Sequence, residues 1–210
     1  ASTEKIYYVG NPNNLEASIV KDKNFEFLPV ISSGMPRKIS FALIVWVFKM
    51  LHAWIECCKY IHKYKPDVIF GTGGYVSAPV LFAGMTMRVP FVMHDCDANP
   101  GLVTRKFSPF AKSVSIAFDV ARTKLNNKNC FTNGNPIREK FKTLTKEKAR
   151  IKLGLEDKLT LCIMGGSQGA KAINDATIPI LKILTQTYHL QIIFQTGKRN
   201  YDEVVEKLNA

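Results

Sequence analysis

The sequence holds two glycine-rich segments of the kind that binds phosphate groups. In the first, Gly73 and Gly74 lie between an apolar run, 68–70, and a helical pattern that begins near Val76. Glycine lets the backbone approach a ligand closely, and the first N–H groups of a helix attract an anion. The segment therefore indicates a phosphate or pyrophosphate site, with a tight strand-to-helix turn as the alternative. It is not a dinucleotide-binding fingerprint, because Val76 stands where the third glycine is required.

The second glycine-rich segment has the same order of strand, turn and helix. Gly165 and Gly166 follow the apolar run 159–164, and Ser167 and Gln168 add side-chain donors. A Walker loop is excluded, because Ala170 stands before Lys171 where that motif requires a glycine. The segment predicts a second anion site, so the chain has features for two phosphorylated ligands.

Two further places could carry chemistry. His94, Asp95 and Asp97 follow the apolar run 91–93, and in open α/β sheets ligands bind beyond the carboxyl ends of the strands. His94 could act as a general base, although a histidine beside an aspartate more often fixes a loop by hydrogen bonding. Asp95 and Asp97 could hold a divalent cation, but two carboxylates alone are a weak signal. Arg138 follows a Gly-Asn-Pro turn and could clamp a phosphate; the alternative is a surface arginine.

The elements that position these residues alternate between strands and helices. This alternation predicts an α/β fold with parallel sheets and right-handed crossovers. The turn-rich stretch 123–145 predicts a boundary near Pro136, which gives domains 1–137 and 138–210. The predicted strands are 6–9, 25–30, 68–70, 91–93, 114–117, 159–164 and 191–194. The predicted helices are 15–21, 39–64, 76–87, 102–110, 146–153, 172–188 and 201–208.

The long helix predicted at 39–64 has an unusual beginning. Its C-terminal half is amphipathic, whereas residues 39–48 are apolar on all sides and carry no charge. This run is shorter than the ~20 residues that a membrane span requires. An apolar segment rimmed by cations is typical of an interfacial membrane anchor, and burial by another part of the protein or by a partner is the alternative. The predicted membrane-contact residues are Arg37, Lys38, Ile39, Phe41, Leu43, Ile44, Val45, Trp46, Phe48 and Lys49.

Charge and cysteine content narrow the class of protein. Across 210 residues, 29 Lys and Arg against 17 Asp and Glu give a net charge of +12. This charge suggests an anionic partner, and the alternative is an enzyme that is simply basic. The odd count of five cysteines, without a C-x-x-C pair, argues against a disulfide framework or a common zinc site and favours a reducing compartment. The polar start lacks a signal-peptide pattern and an initiating Met, so we expect the chain to begin inside a fold.

Four motifs together resemble the MurG family of N-acetylglucosaminyltransferases. They occur in the family's order and approximate spacing, and the resemblance covers essentially the whole chain. The motifs are Gly73-Gly-Tyr-Val-Ser-Ala-Pro79, His94-Asp-Cys-Asp-Ala-Asn-Pro-Gly101, Gly134-Asn-Pro-Ile-Arg138 and Gly165-Gly-Ser-Gln-Gly-Ala170.

The resemblance implies a GT-B fold, in which two Rossmann-like, doubly wound domains face each other across a cleft. It implies an inverting transfer of N-acetylglucosamine from UDP-N-acetylglucosamine to undecaprenyl-diphosphate-linked N-acetylmuramoyl-pentapeptide, at the cytoplasmic face of the bacterial membrane. No cofactor is implied, although a divalent cation stays open. The implied acceptor-diphosphate residues are Gly73, Gly74, Tyr75 and Ser77. The implied donor residues are Asp97, Arg138, Gly165, Gly166, Ser167 and Gln168.

The chain departs from the family at the second motif and at both ends. Asp97 stands where the family has a donor-contacting asparagine, and an ionised carboxylate can only accept hydrogen bonds. The family's candidate catalytic histidine would precede Ala1, and the rest of the donor domain would follow Ala210. Both domains are therefore expected to be incomplete, and the chain alone is expected to be inactive.

Other functions stay open at this point. A non-catalytic module for acceptor binding and membrane docking is one alternative, although the glycine motif at 165–170 counts against it. Another GT-B enzyme, such as a glycolipid synthase or a UDP-sugar epimerase, is a second. A nucleic-acid binder would explain the charge, but the sequence has no aromatic-basic stripe or recognition-helix motif.

Overall fold

The computed structural model describes residues 5–21, 23, 25–36, 38, 40–166 and 168–209. The chain forms two compact units, 1–136 and 137–210, so the division lies next to the predicted boundary. All pairs of neighbouring strands in both units are parallel within the described residues, and the predicted α/β class is confirmed.

Unit 1 (residues 1–136) contains two parallel sheets. The strands β1 and β2 form one sheet, and β3, β4, β5 and β6 form the other in that order. The strands are β1 (Tyr7–Gly10), β2 (Glu26–Pro29), β3 (Ile69–Gly71), β4 (Phe91–Asp95), β5 (Ser113–Ile116) and β6 (Cys130–Thr132). The helices are α1 (Leu15–Lys21), α2 (Phe41–Tyr64), α3 (Gly74–Thr86) and α4 (Leu102–Phe107).

The core of unit 1 lies around the four-stranded sheet. Met93, Val114 and Ile116 from the strands and Leu81 from α3 are almost completely buried. β4 is apolar over Phe91–Met93, whereas β5 alternates serine with apolar residues, and the buried positions alternate along both strands.

The strand β6 was missed by the sequence analysis. Cys130–Thr132 lies inside the stretch that was assigned to the turn-rich boundary, and it pairs with β5. Three residues are too few to show the alternation that identifies a strand. The guanidinium of Arg122 donates to the Cys130 carbonyl and to the Thr132 hydroxyl, and these contacts fix the strand against the preceding turn.

The C-terminal half of helix α2 packs in the core of unit 1. Ala53, Cys57 and Ile61 repeat at helical spacing and are buried in the core, and burial raises the pKa of the Cys57 thiol to about 12. The indole of Trp54 donates to Thr86 on α3, and the Tyr60 hydroxyl donates to the Pro29 carbonyl. The helix ends before Lys65 and Pro66, as predicted.

The length and composition of α2 also fit a membrane span. Among the described residues, it is one helix of 24 residues that is long and apolar enough for this. The core helix of a soluble protein meets the same criterion but is mostly buried, whereas 11% of the apolar window of α2 is buried. The C-terminal half of α2 nevertheless packs in unit 1.

Unit 2 (residues 137–210) has one two-stranded parallel sheet. The strands β7 (Thr160–Met164) and β8 (Gln191–Gln195) pair from Thr160 with Gln191 to Met164 with Gln195. The helices are α5 (Lys146–Leu153), α6 (Lys171–Thr177) and α7 (Tyr201–Asn209).

The segment predicted as one helix at 172–188 is helical throughout 171–187, but it is not one regular α-helix. The helix α6 ends at Thr177, and a 3-10 turn (Ile178–Ile180) and a π-helical turn (Ile183–Thr187) follow it. Pro179 lies in the 3-10 turn, and a proline there removes a backbone donor that a continuous α-helix would need.

Four charged side chains join α6 to α7. Glu203 accepts from Lys171 and from Lys207, and Lys207 also contacts Asp175 at 3.0 Å. The two lysines lower the pKa of Glu203 to about 2, first through their hydrogen bonds and then through their charge.

We expect the substitution Glu203→Gln to destabilise unit 2 near pH 7 and to have less effect in acid. Because the folded-state pKa of Glu203 is lowered, its contribution is complete above the unfolded value near 4.5 and is lost as the pH falls toward 2. Thermal unfolding at pH 7, 4 and 3 measures the difference from wild type, and 1 M NaCl should reduce it at pH 7. A difference that is independent of pH and of salt would contradict this account.

Candidate functional site

The first glycine loop (residues 71–77) connects β3 to α3. Gly73 and Gly74 have φ angles of 80° and 74°, a region that side chains disfavour. Gly73 caps α3 without a side-chain hydrogen bond, so the first backbone N–H groups of this 13-residue helix have no capping partner. The loop therefore offers the open helix N-terminus that binds an anion.

Two side chains of this loop, those of Ser77 and Tyr75, differ in whether they are available to a ligand. The Ser77 hydroxyl lies 2.8 Å from the Gly73 carbonyl and 2.9 Å from the Gly74 carbonyl and donates to them, so it stabilises the loop itself. Tyr75 is exposed, and its hydroxyl accepts from the side chain of Asn14 at 3.2 Å. Of the predicted acceptor residues, the glycines and Tyr75 present free surface, whereas the Ser77 proton is used internally.

A buried carboxylate supports the segment beside this loop. Asp95 is almost completely buried and accepts from the backbone N–H groups of Asp97 and Gly101, at 3.0 and 3.2 Å. It therefore holds the turn 95–101 in shape. The Asp97 side chain is exposed. Among the described residues, no three His, Cys, Asp or Glu side chains are grouped to hold a metal.

His94 is held by hydrogen bonds at both ring nitrogens. Its Nε2 lies 3.3 Å from Oδ1 of Asn135, and its Nδ1 lies 3.1 Å from the Ser115 hydroxyl. Asn135 also donates to the Cys96 carbonyl, which fixes the direction of its amide and makes Oδ1 the acceptor from His94. The proton then lies on Nε2, and Nδ1 accepts from Ser115. These contacts agree with the loop-fixing alternative of the sequence analysis, because both ring nitrogens are engaged by neighbouring residues.

The second glycine loop (residues 165–169) connects β7 to α6. Gly166 and Gly169 have φ angles of 79° and 74°, and the N–H of Gly169 donates to the Gly166 carbonyl at 2.9 Å. Gly166 and Gln168 are exposed, whereas Ser167 lies outside the described residues. Because α6 has only seven residues, its dipole is small, and the loop's own N–H groups would provide most of the attraction for an anion.

The segment 195–197 packs directly against the second glycine loop. A Cβ atom on Gly169 would overlap the backbone of Thr196, and one on Gly197 would overlap the backbone of Gln168. The buried Asn174 donates to the Thr196 carbonyl at 3.0 Å and anchors the segment from α6. The sequence analysis missed these supporting residues; the only signal was a polar Gln-Thr-Gly sequence directly after an apolar strand.

Arg138 is exposed at the start of unit 2. It caps the short 3-10 turn Glu139–Phe141, and its guanidinium has no partner among the described residues. The five N–H donors of this side chain are therefore available for an anionic ligand.

The predicted membrane-contact residues divide between two faces of α2. Leu43 and Trp46 are half-buried, and the Trp46 indole donates to the Ser33 carbonyl at 2.9 Å. Lys38 and Lys49 are exposed, and Arg37 and Ile39 lie outside the described residues. An exposed apolar surface covers the other face, and it extends beyond the predicted set. This α2 surface consists of Phe41, Ile44, Val45, Val47, Phe48, Leu51 and Ile55.

We expect Gly169→Ala to destabilise unit 2 more than Gly166→Ala does. Both substitutions place a side chain at a positive φ angle, at a cost of about 1–2 kcal/mol. Only the Gly169 variant also overlaps backbone atoms that cannot move aside easily, which adds about 1–3 kcal/mol. Urea denaturation measures both changes, and equal destabilisation would contradict the packing described above.

Comparisons with known proteins match the two units of the chain to two domains of one enzyme family. Residues 2–116 match the glycosyltransferase family 28 N-terminal domain, and residues 160–210 match the family 28 C-terminal domain. Two curated relatives are named UDP-N-acetylglucosamine--N-acetylmuramyl-(pentapeptide) pyrophosphoryl-undecaprenol N-acetylglucosamine transferase. The one from Halothermothrix orenii is 37% identical over 209 residues, which is 98% of this chain and 56% of the relative. The one from Bacillus subtilis is 32% identical over 204 residues, which is 97% of this chain and 56% of the relative.

Solved structures give the same result for the fold. MurG from Acinetobacter baumannii is 25% identical with a TM-score of 0.62, and the match covers 98% of this chain and 54% of that protein. A UDP-N-acetylglucosamine 2-epimerase from Listeria monocytogenes shares the fold alone, at 11% identity and a TM-score of 0.63, over 97% of this chain and 57% of that protein. The chain spans about half the length of the relatives that it matches. From the match over residues 2–116 and the glycine loop on each unit, the chain belongs to glycosyltransferase family 28.

Proposed function

We propose that the protein containing this chain transfers N-acetylglucosamine from UDP-N-acetylglucosamine to an undecaprenyl-diphosphate-linked N-acetylmuramoyl-pentapeptide in peptidoglycan synthesis. The observation that carries the proposal is the order of the two family 28 domains, each with a glycine loop between a strand and a helix. The names of the curated relatives support the same reaction. A purely docking or acceptor-binding module is disfavoured, because such a module would not need the second glycine loop.

Unit 1 would bind the lipid-linked acceptor. Its diphosphate would lie against the first glycine loop, where the N-terminus of α3 has no capping side chain. Gly73 and Gly74 allow the close approach, and the exposed Tyr75 would contact the acceptor at the rim. Ser77 would act indirectly, by holding the carbonyl groups of the loop away from the anion.

Unit 2 would bind the diphosphate of the UDP donor. The exposed backbone of Gly166 and Gln168, together with Ser167 between them, forms the predicted contact, and Arg138 would add a charge-assisted hydrogen bond. In the reaction, the acceptor hydroxyl oxygen forms a bond to the anomeric carbon as the bond from that carbon to the UDP oxygen breaks. The hydroxyl proton goes to a base, and UDP leaves with its charge stabilised by N–H groups and Arg138.

Neither His94 nor Asp97 is assigned a catalytic or donor-binding role here. His94 is already bonded at both nitrogens, so we assign the catalytic base to none of the described residues. We propose that amides and Arg138 neutralise the donor without a metal cofactor. Asp97 would oppose this neutralisation if it faced the donor, because both are negative. Weak donor binding would then follow, and a cation that screens Asp97 is the alternative to binding without a metal.

We propose that the protein acts at the cytoplasmic face of the bacterial membrane and docks through the α2 surface. Phe41 is 76% exposed and Phe48 is 67% exposed, and the exposed cations Lys38 and Lys49 lie at the two ends of this segment. Apolar side chains next to cations bind the interface of an anionic bilayer. The C-terminal half of α2 is packed against α3 and β2, so the docking is peripheral.

The transfer is tested with the protein expressed from its complete reading frame. We expect transfer from UDP-N-acetylglucosamine to the lipid-linked acceptor, and we expect Arg138→Gln to lower kcat/KM about 10- to 100-fold, since a hydrogen bond to a charged group contributes about 1.5–3 kcal/mol. Arg105→Gln, at an exposed arginine on α4, is the control and should keep the wild-type rate. Absence of transfer would contradict the proposed reaction, and an unaffected Arg138→Gln variant would contradict the role of this side chain.

Membrane docking is tested by co-sedimentation with vesicles that contain anionic lipid. We expect Phe48→Asp to remove the part of the binding that persists at high salt, because that part depends on apolar burial rather than on charge. Phe110→Asp is the matched control, since Phe110 is 60% exposed on another element of unit 1. Salt-resistant binding that survives Phe48→Asp, or is lost equally in both variants, would contradict docking through α2.

A further inference from the structure

The side chain of Gln195 bridges two successive residues of the second glycine loop. The N–H of Gly165 donates to its Oε1 at 3.2 Å, and its Nε2 donates to the Gly166 carbonyl at 2.6 Å. Gln195 is the last residue of β8, and it pairs in register with Met164, the last residue of β7 before the loop. The strand pairing therefore brings this amide to the point where the loop begins.

Both bonds require a carboxamide. Only an amide side chain offers an acceptor and an N–H donor side by side, and the two backbone partners fix which end faces which residue. A glutamate could accept from Gly165, but its ionised carboxylate would face the Gly166 carbonyl without a proton to donate. A methionine of similar length would fill the space without making either bond.

The bridge fastens Gly166, a glycine of the loop that packing of neighbouring side chains does not hold. Gly166 has a φ angle of 79°, and no neighbouring atom lies within 4 Å of the position that a Cβ atom would take, so side-chain packing does not hold it. Its carbonyl accepts from both Gln195 and Gly169, which closes the turn from two directions. Holding such a residue in one conformation before a ligand arrives reduces the entropy that binding would otherwise cost.

The same bridge determines which backbone N–H groups of the loop can donate to a ligand. The N–H of Gly165 is used by Gln195, whereas the N–H of Gly166 has no partner among the described residues and the residue is exposed. The contacts of Thr196 and Gly197 with the loop backbone hold the segment that carries Gln195 close to the turn. Gln195 is therefore held close to the loop, and both ends of its amide are used by the loop backbone.

We infer that Gln195 is a positioning residue that preorganises the second glycine loop for the diphosphate of a nucleoside-diphosphate sugar. This inference rests on the proposed function of unit 2 as the donor-binding unit. It predicts an effect on donor binding that is separate from any effect on the acceptor, because the bridge contacts the second glycine loop alone among the described loops of unit 2.

Gln191 provides a matched control on the same strand. It lies four positions earlier on β8, and its amide also bridges a loop: its Oε1 accepts from the Glu156 N–H at 3.1 Å, and its Nε2 donates to the Thr160 hydroxyl at 3.1 Å. The variant Gln191→Met therefore removes an equivalent amide bridge from unit 2 at the other end of the strand.

The experiment compares Gln195→Met, Gln195→Glu and Gln191→Met in the protein from the complete reading frame. Gln195→Met loses both hydrogen bonds, whereas Gln195→Glu loses the bond to the Gly166 carbonyl and places a carboxylate oxygen against it. We expect both variants to raise the KM for UDP-N-acetylglucosamine and the Kd for UDP, about tenfold for Gln195→Met. The KM for the lipid-linked acceptor should stay within twofold of wild type. Gln191→Met should leave all three constants within twofold, even if it lowers the melting temperature.

Hydrogen–deuterium exchange separates this inference from the proposed function. Gln195→Met should speed exchange in peptides that cover 160–170, relative to wild type and to Gln191→Met, because the Gly165 N–H loses its acceptor. Unchanged exchange, or donor constants that change equally in the two methionine variants, would overturn the positioning role. A wild-type protein that binds no UDP and transfers no sugar would overturn the proposed function, and with it the ligand assigned to the loop, whatever the exchange shows.

Discussion

The structure depends on one constraint, which is the need to satisfy the first backbone N–H groups of a helix that follows a parallel strand. These groups have no partners within the helix. In unit 1, parallel pairing places the carboxyl ends of β3 and β4 at one edge of the sheet, so the glycines after β3 and the polar turn after β4 emerge together. The positive φ angles of Gly73 and Gly74 then expose the first amides of α3. Unit 2 repeats the arrangement with β7 and Gly166. An anion satisfies such groups where no side chain does.

The polar groups around these loops serve mainly to fix their shape. Asp95 binds two backbone N–H groups, Ser77 binds two carbonyl groups, and His94 uses both ring nitrogens on neighbouring residues. Each is a residue type that could take part in catalysis, yet each is already paired. Among the described residues, the backbone amides of the loops and the exposed Arg138 are the groups that suit the stabilisation of a diphosphate rather than proton transfer. The pairing of these polar side chains agrees with the proposal that the described residues mainly bind substrate.

The helix α2 meets two different environments along its length. Ala53, Cys57 and Ile61 join the core of unit 1, and the same helix presents Phe41, Phe48 and other apolar side chains to the outside near its start. A contiguous exposed apolar surface of this kind indicates an interaction site, because exposing apolar side chains to water is unfavourable. Cations near both ends of the apolar segment favour an anionic surface as the partner. Packing of the C-terminal half holds the helix in the fold and leaves the exposed apolar side chains of the α2 surface for the proposed contact with a membrane.

The sequence by itself determined the α/β class, the two glycine loops and the family, because apolar runs, glycines and motif order are local signals that need no knowledge of distant contacts. It also placed most strands within one or two residues. Only the tertiary structure decided which polar groups are already paired: the bonds of His94 with Ser115 and Asn135 join residues far apart in the chain, as does the bridge from Gln195 to Gly165. It also revealed the short strand β6, which pairing with β5 stabilises, and the division of α2 into two faces. These features depend on contacts across the fold, and no pattern of neighbouring residues encodes them.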